Sequence, residues 1–338
     1  MLYDTLIRNA LVIDGCDTPG YTADLAIRAG RIERIGDLGA ARAIADIDAA
    51  GRVLAPGFID VHTHDDTMVI RQPQMLPKLS QGVTTVIVGN CGISASPVRL
   101  RGDPPDPMNL LGTAQAFVYP RFSDYRGAVE AAAPAVNVAA LVGHTALRSN
   151  HMDDLLRTAS VGEIAAMRQQ LRESLEDGAL GLSTGLAYAN AFSASTDEVM
   201  QLTEELSAYG GVYTTHLRSE FEPVLEAMAE AFHIGRHAQS PVIISHLKCA
   251  GVGNWGRSPQ VLAALESAAR NHPVGCDCYP YAASSSTLDL KQVTDAHPIT
   301  ITWSTPHPAM SGRDLIDIAC EWGVPLLEAA RRLHASLQ

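Results

Sequence analysis

The chain opens on short runs of alternating apolar and polar residues divided by glycines. Thr5–Ile13, Asp24–Arg28, Arg31–Ile35 and Val53–Leu54 read as strands, with Ala29-Gly30 as a hairpin-like turn. Pro56-Gly57 punctuates the end of this small β region. From Phe58 onward the pattern changes. Apolar runs at Phe58–His62, Val83–Val88, Val136–Val142, Leu180–Ser183, Val212–His216, Val242–His246 and Val274–Cys278 alternate with amphipathic stretches at Val161–Asp177, Thr196–Tyr209, Pro223–His237 and Pro259–Asn271. Strands alternating with helices of this length predict an α/β fold with a parallel sheet of βα units. Seven such units with apolar, two-sided strands favour a barrel over a doubly wound sheet. No Gly-x-Gly-x-x-Gly follows an early strand to support the latter. After Ser286 the pattern is polar and β-prone through Ser304, then helical over Arg313–Leu333, with no eighth strand-plus-helix unit.

Parallel barrels build their sites where strands end. The run Phe58-Ile59-Asp60-Val61-His62-Thr63-His64 ends in two histidines two residues apart. On a strand, Phe58, Asp60, His62 and His64 share one face, which places both imidazoles side by side as a half-site for a metal. The plain alternative is two polar residues where a strand runs out into a loop. Other strand ends carry further candidates: Cys91 in the turn Gly89-Asn90-Cys91-Gly92, then His144, His216 and His246, and Asp277 with Tyr279 and Tyr281 after the last strand. Each alone is more often a packing or surface residue, and Cys276 and Cys278 read as strand packing. The joint pattern, five strand ends bearing His or Cys, points to a metal site. Nitrogen and sulfur donors with open positions suit Zn2+ over magnesium or calcium, and zinc suits hydrolysis.

Composition narrows the classes. Hydrophobic residues make up 46% and charged residues 18% of the 338 positions, which predicts a globular chain. The 25 Lys and Arg against 37 Asp and Glu give a net charge of −12, and aromatic residues are 5%, so no nucleic-acid partner is expected. No apolar run is long enough to span a membrane, and no signal peptide is visible. The six cysteines are scattered rather than spaced as a disulfide framework, and a reducing cytoplasm is the expected location.

The motifs Pro56-Gly57-Phe58-Ile59-Asp60-Val61-His62-Thr63-His64-Asp65-Asp66, Gly82-Val83-Thr84-Thr85-Val86-Ile87-Val88-Gly89-Asn90-Cys91-Gly92, Gly178-Ala179-Leu180-Gly181-Leu182-Ser183-Thr184-Gly185, Thr215-His216-Leu217-Arg218-Ser219-Glu220, Ser245-His246-Leu247-Lys248 and Asp277-Cys278-Tyr279-Pro280-Tyr281 resemble the amidohydrolase superfamily. Within it they resemble the N-acyl-D-amino-acid deacylases (D-aminoacylases). The resemblance implies a zinc-bearing, TIM-like (β/α) barrel with a small β-sandwich made from both chain ends. It implies that Cys91, His216 and His246 hold one tight zinc, and that His62 and His64 form a second, weaker position sharing Cys91. Many superfamily members carry a metal-bridging modified lysine on strand four. Ser183-Thr184-Gly185 stands there instead, which leaves that role to Cys91. Lys248, Tyr279 and Ser285 resemble substrate-contacting positions, and Lys248 or Tyr279 would polarise the amide carbonyl.

Two departures accompany the resemblance. Gly143-His144-Thr145 replaces the usual Gly-His-Gly, and the family's catalytic aspartate, in a Gly-Ser-Asp motif after strand eight, is expected beyond Gln338. Asp65, Asp66 and Asp277 are nearby carboxylates, but none matches that position. The expected organisation is therefore a β-sandwich portion over 1–55, a hydrolase barrel lacking its last strand over 56–287, and an inserted lid-like segment over 288–338. The implied function is zinc-dependent hydrolysis of a small-molecule N-acyl-D-amino acid to a carboxylate and a D-amino acid, with little activity expected of the chain as written. A cyclic amidase of the dihydropyrimidinase or dihydroorotase kind is an alternative, opposed by the Asn90-Cys91-Gly92 turn and the missing lysine. An inactive zinc-binding remnant with an exposed sheet edge is another. The accepted side chain, the number of metals and the oligomeric state stay open.

Overall fold

A computed structural model describes residues 2–100 and 102–334. The chain divides into two compact units, one formed by residues up to Ile59 together with Leu76–Thr85, the other by Asp60–Met75 and the chain from Val86 onward. In the first unit, β1 (Leu2–Val12), β2 (Tyr21–Arg28), β3 (Arg31–Gly36) and β4 (Arg42–Asp48) form a sheet in the order β3-β2-β1-β4, and β5 (Val53–Leu54) also pairs with β1. Tyr3, Leu6, Ala26 and Leu38 make its small core. The sequence pattern did not predict β4. Its residues are largely exposed, with Ile44 77% accessible, so no apolar face marks it. The strand is specified by its parallel pairing with β1, Tyr3 opposite Ala43.

Apolar, two-sided runs form the parallel framework that follows. β6 (Phe58–Asp60) and β7 (Val83–Val88) lie in one three-stranded sheet with β10 (Asn137–Ala140), after a short antiparallel pair β8 (Val98–Arg99) and β9 (Val118–Tyr119). β11 (Val142–Gly143), β12 (Gly181–Gly185), β13 (Val212–His216), β14 (Val242–Ile244) and β15 (Val274–Cys276) form an all-parallel sheet in chain order. The run predicted as one strand over Val136–Val142 is divided because it changes neighbours: the Leu141 N–H donates to the Val88 carbonyl, whereas Val142 pairs with Leu182. Helices at Val161–Glu176, Val224–Ala238 and Ser258–Ala269 lie close to their predicted bounds. They pack Met167, Leu171, Met228 and Phe232 with Leu182 and Tyr213 of the strands. The first of these helices is started by a capping box between Ser160 and Glu163.

Two expectations about elements need correction. The first barrel strand stops at Asp60, not His62: the Asp60 carboxylate accepts the His62 N–H at 3.3 Å, and the Thr63 N–H still reaches the Ile87 carbonyl of β7 at 3.2 Å. The helix expected over Arg313–Leu333 is two helices, Leu315–Trp322 and Leu326–Leu333. Gly323 ends the first in the left-handed region at φ +63, and Pro325 precedes the second. These helices enclose a separate core of Ile301, Leu315, Ile318 and Leu333. Among the described residues no helix is long and apolar enough to cross a membrane.

Behind β11 and β12 lies a fully buried ionic group. Arg148 Nη1 donates to both Glu198 oxygens at 2.6 and 2.9 Å, and His144 Nε2 lies 2.9 Å from Glu198 Oε1. Arg148 Nη2 also donates to the carbonyls of Leu155 and Arg157. Removing one partner would leave a buried charge uncompensated. We expect Glu198→Gln to lower the unfolding free energy by roughly 3–5 kcal/mol, measured by urea denaturation. A change within experimental error would mean that the pair contributes nothing.

Candidate metal centre

The turn after β7 is built to hold a thiol in one place. Cys91 adopts φ +55 between Gly89 (φ +81) and Gly92 (φ +75), and it is 1% exposed. A Cβ on Gly92 would sit 2.7 Å from the Gly185 nitrogen, and one on Gly185 would sit 2.3 Å from the Cys91 carbonyl. Both positions therefore require glycine for the turn to lie against β12. Ser183 locks this contact. Its Oγ accepts the Gly92 N–H at 3.0 Å and donates to the Gly89 carbonyl. Buried Asp66 holds the flanks, accepting the N–H groups of Gly89 at 3.2 Å and Ala95 at 3.1 Å, and burial raises its pKa to about 7. Asp66, a nearby carboxylate in the sequence, is thus occupied with the loop.

Four imidazoles converge on this thiol. The ligand-capable atoms of His62, His64 and Cys91 lie within 4.8 Å of one another, and so do those of Cys91, His216 and His246. Cys91 belongs to both sets. Its Sγ is 3.2 Å from His62 Nε2 and 3.4 Å from His246 Nε2. The rings of His216 and His246 meet edge to face at 4.4 Å between centroids. His62 and His64 reach the cluster from the loop after β6 rather than from a strand face. The fifth histidine singled out at a strand end, His144, is turned into the buried ionic group instead.

Two carboxylates orient the rings. Asp277 lies 3.2 Å from His62 Nδ1, which leaves Nε2 toward Cys91. It also accepts the backbone N–H of His246 at 2.7 Å, holding that residue in the left-handed conformation at φ +37. Glu220 Oε1 is 3.0 Å from His246 Nδ1 and 2.6 Å from Lys248 Nζ, and Lys248 Nζ is 2.8 Å from the same Nδ1. With Nε2 turned to Cys91, the Nδ1 side of the ring is held between Glu220 and Lys248. Burial opposes the Glu220 charge, but the hydrogen bond with His246 and the neighbouring positive charges outweigh it and hold the carboxyl at about 2. Asp277 is likewise held below the usual range, against burial, by its hydrogen bond with His62.

The donor set fits a soft divalent cation. The Nδ1 atoms of His64 and His216 are buried with no hydrogen-bond partner, as nitrogens reserved for a ligand bond would be. Burial pushes the Cys91 thiol up and the imidazoles down, His64 to about 4 and His216 to about 3. Neutral imidazole is the form that binds metal. Tyr188, absent from the sequence reading, packs its ring against His216 at 4.8 Å between centroids, tilted by 57°. Glu220 was legible only as the end of Thr215-His216-Leu217-Arg218-Ser219-Glu220, and Ser183 only as the residue where a lysine was expected. Cys276 and Cys278, expected in packing, are exposed.

Lys248, Tyr279 and Ser285 line one cavity of about 850 Å³ beside the cluster. The Lys248 ammonium lies 5.9 Å from the centre of the Tyr279 ring. The cavity therefore presents a cation, a phenol and a hydroxyl together.

The fold and this constellation define a metal-dependent hydrolase of the barrel class. A profile of the amidohydrolase family matches residues 46–314. The chain is 45% identical to the D-aminoacylase of Alcaligenes xylosoxydans xylosoxydans, over 98% of this chain and 70% of that protein. It is 45% identical to the N-acyl-D-aspartate deacylase of the same organism and 44% identical to its N-acyl-D-glutamate deacylase, covering 98% of this chain and 66% and 67% of theirs. A D-aminoacylase structure addressing a binuclear metal centre superposes with a TM-score of 0.94 at 45% identity, covering 98% of this chain and 70% of that one. The N-acyl-D-glutamate deacylase of Bordetella bronchiseptica, complexed with zinc and a phosphonate inhibitor, gives 0.93 at 42% identity over the same shares. The chain belongs to the amidohydrolase family, in its D-aminoacylase branch.

The buried imidazoles make acid a direct probe of the site. Because folding depresses the pKa of His64 to about 4 and of His216 to about 3, the unfolded chain binds more protons as pH falls below the ordinary histidine value of ~6.5. Metal-free protein should therefore lose stability progressively from pH ~6.5 downward, read as a falling urea midpoint that His64→Asn partly relieves. A midpoint that stays flat down to about pH 5 would contradict neutral burial of these rings.

Proposed function

We propose that this chain carries the zinc- and substrate-binding residues of a deacylase that hydrolyses the amide bond of N-acyl-D-amino acids, giving a carboxylate and a D-amino acid. The observation that carries the reading is one buried thiol, Cys91, common to two imidazole pairs beside a cavity that presents Lys248, Tyr279 and Ser285. Cys91, His216 and His246 would hold the tighter zinc, and His62 and His64, with Cys91, the weaker one. A zinc ion held there supplies Lewis acidity toward the amide carbonyl and lowers the pKa of water toward ~7.

The chain's own residues do the rest of the work assigned here. The substrate carboxylate is an anion, and Lys248 with the Tyr279 and Ser285 hydroxyls offers it a charge-assisted site. Glu220 fixes Lys248 and His246 with one oxygen, so the carboxylate site and the His246 ring are set relative to each other. That linkage places the scissile amide at a defined distance from the cluster, which is the positioning an amidase needs. Asp277 keeps the His62 hydrogen on Nδ1 and Nε2 free toward Cys91. The segment from residue 288, with its own core of Ile301, Leu315 and Leu333, fits a cover over this cavity, to which Leu288, Ile301 and Leu333 contribute.

Release of amino acid by zinc-loaded protein is expected to be slow, and to occur from N-acetyl-D-amino acids and not from their L-enantiomers or from cyclic ureides. Equal rates on both enantiomers, or preference for the cyclic compounds, would contradict the reading. Cys91→Ala should abolish bound zinc, measured by metal analysis after gel filtration. Asp277→Asn, whose amide oxygen can still accept the His246 backbone N–H, should weaken the second metal position by about 10–100-fold and the first much less, measured by competition with a chelator.

A further inference from the structure

The buried group of His144, Glu198 and Arg148 stands outside the metal cluster, yet the segment it holds lies directly against the Cys91 turn. We propose that His144 is a positioning residue for the metal centre: its ring, fixed to Glu198, sets the strip of residues 141–145 on which the turn carrying Cys91 is seated. The inference rests on the metal reading of the cluster and is independent of the substrate.

Both ends of the turn rest on this strip. On the incoming side, the Leu141 N–H donates to the Val88 carbonyl at 2.9 Å, and a Cβ on Gly89 would sit 2.2 Å from the Leu141 carbonyl oxygen. On the outgoing side, the Thr145 N–H donates to the Gly92 carbonyl at 2.8 Å, and the Gly143 N–H donates to Ser94 Oγ at 3.0 Å. A Cβ on Gly143 would sit 2.6 Å from the Gly92 carbonyl oxygen. Backbones packed this closely cannot shift independently, so a displaced strip displaces the sulfur.

His144 is the anchor of the strip at this end. Its neighbours offer none: Gly143 has no side chain, and the buried Thr145 hydroxyl has no hydrogen-bond partner. Burial opposes the Glu198 charge, but the hydrogen bond with His144 and the Arg148 guanidinium outweigh it and hold the carboxyl well below its ordinary value. An ionised carboxylate only accepts, so His144 Nε2 carries the hydrogen toward Glu198, and the partnerless Nδ1 is bare. Glu198 is itself fixed. Its backbone N–H donates to Ser195 Oγ at 3.0 Å, and both its oxygens accept from Arg148. Arg148 has no freedom left either, because Nε donates to the Asn190 carbonyl at 3.2 Å and Nη2 to those of Leu155 and Arg157 at 2.9 and 2.7 Å. Arg148 and Glu198 balance each other's charge, so what His144 adds is a fixed point on the strip.

The test compares metal binding with stability. His144→Asn, whose amide is too short to reach Glu198, is expected to weaken zinc roughly 10-fold, measured by chelator competition, and to alter the charge-transfer band of the cobalt-loaded protein. His144→Gln, whose amide nitrogen stands near the place of Nε2, is expected to restore both. Met167→Ala, in the same apolar core but off the strip, is expected to lower the urea midpoint and leave both readouts unchanged. Ser94→Ala removes the acceptor of the Gly143 N–H, leaves the ionic group intact, and is expected to weaken zinc in the same way. It replaces His144→Asn in the test if that variant does not fold. Unaltered zinc affinity and band in His144→Asn, or in Ser94→Ala used in its place, would overturn the proposal. So would no recovery in His144→Gln, or a loss of affinity in Met167→Ala as large as that in His144→Asn. Zinc that stays bound in Cys91→Ala would overturn the metal reading itself.

Discussion

A thiol with almost no access to solvent cannot carry a negative charge unless a cation lies beside it. Cys91 is in that position. Burial pushes its pKa up, and the carboxylates Glu220 and Asp277 push it further in the same direction. His64 and His216 beside it are forced the other way, toward neutrality. Cys91, His64 and His216 are thus held in their neutral forms by burial, and a bound divalent cation inverts that preference at the sulfur. The glycine-flanked turn, the Ser183 clasp and the Asp66 anchors all serve to keep this one sulfur where four rings can reach it.

The surrounding carboxylates divide the cluster into unequal halves. Glu220 acts on His246 and, through the same oxygen, on Lys248, which ties the ring to the cavity wall. Asp277 acts on the His62 ring and on the His246 backbone, so it touches one residue from each half. A disturbance at Asp277 is therefore felt by both imidazole pairs, whereas one at Glu220 is felt by the ring and the wall. In the proposed reading, Glu220 joins the metal-binding ring to the cavity wall, and Asp277 joins the two imidazole pairs.

Much of this was legible in the sequence, and the parts that were not share a cause. The βα alternation gave the parallel strands, and Val83–Val88 and Val212–His216 were read with the bounds observed. Cys91, His216 and His246 were visible because metal-capable residues at strand ends are few. The Phe58–His64 alternation suggested a strand carrying both histidines. The His62 N–H is taken by the Asp60 carboxylate, and side-chain competition of that kind does not register in hydrophobic periodicity. His144 occupies a strand end like the others, yet the buried pair Arg148 and Glu198 draws it into the core, a long-range preference invisible in local pattern. Ser183, Tyr188 and Glu220 were overlooked because their roles depend on which strand lies next to which. β4 was overlooked because exposed alanines and aspartates leave no apolar face.

The central claim is that Cys91 is the sulfur common to both metal positions. Titrating the metal-free protein with Co2+ tests it most directly, because a cobalt-bound thiolate produces a near-ultraviolet charge-transfer band while nitrogen and oxygen donors do not. The account predicts that the band grows with the first equivalent and is lost in Cys91→Ser. It also predicts that the band persists in a variant with Cys276 and Cys278 replaced by serine. A band that survives in Cys91→Ser, or that never forms in the unaltered protein, would contradict it.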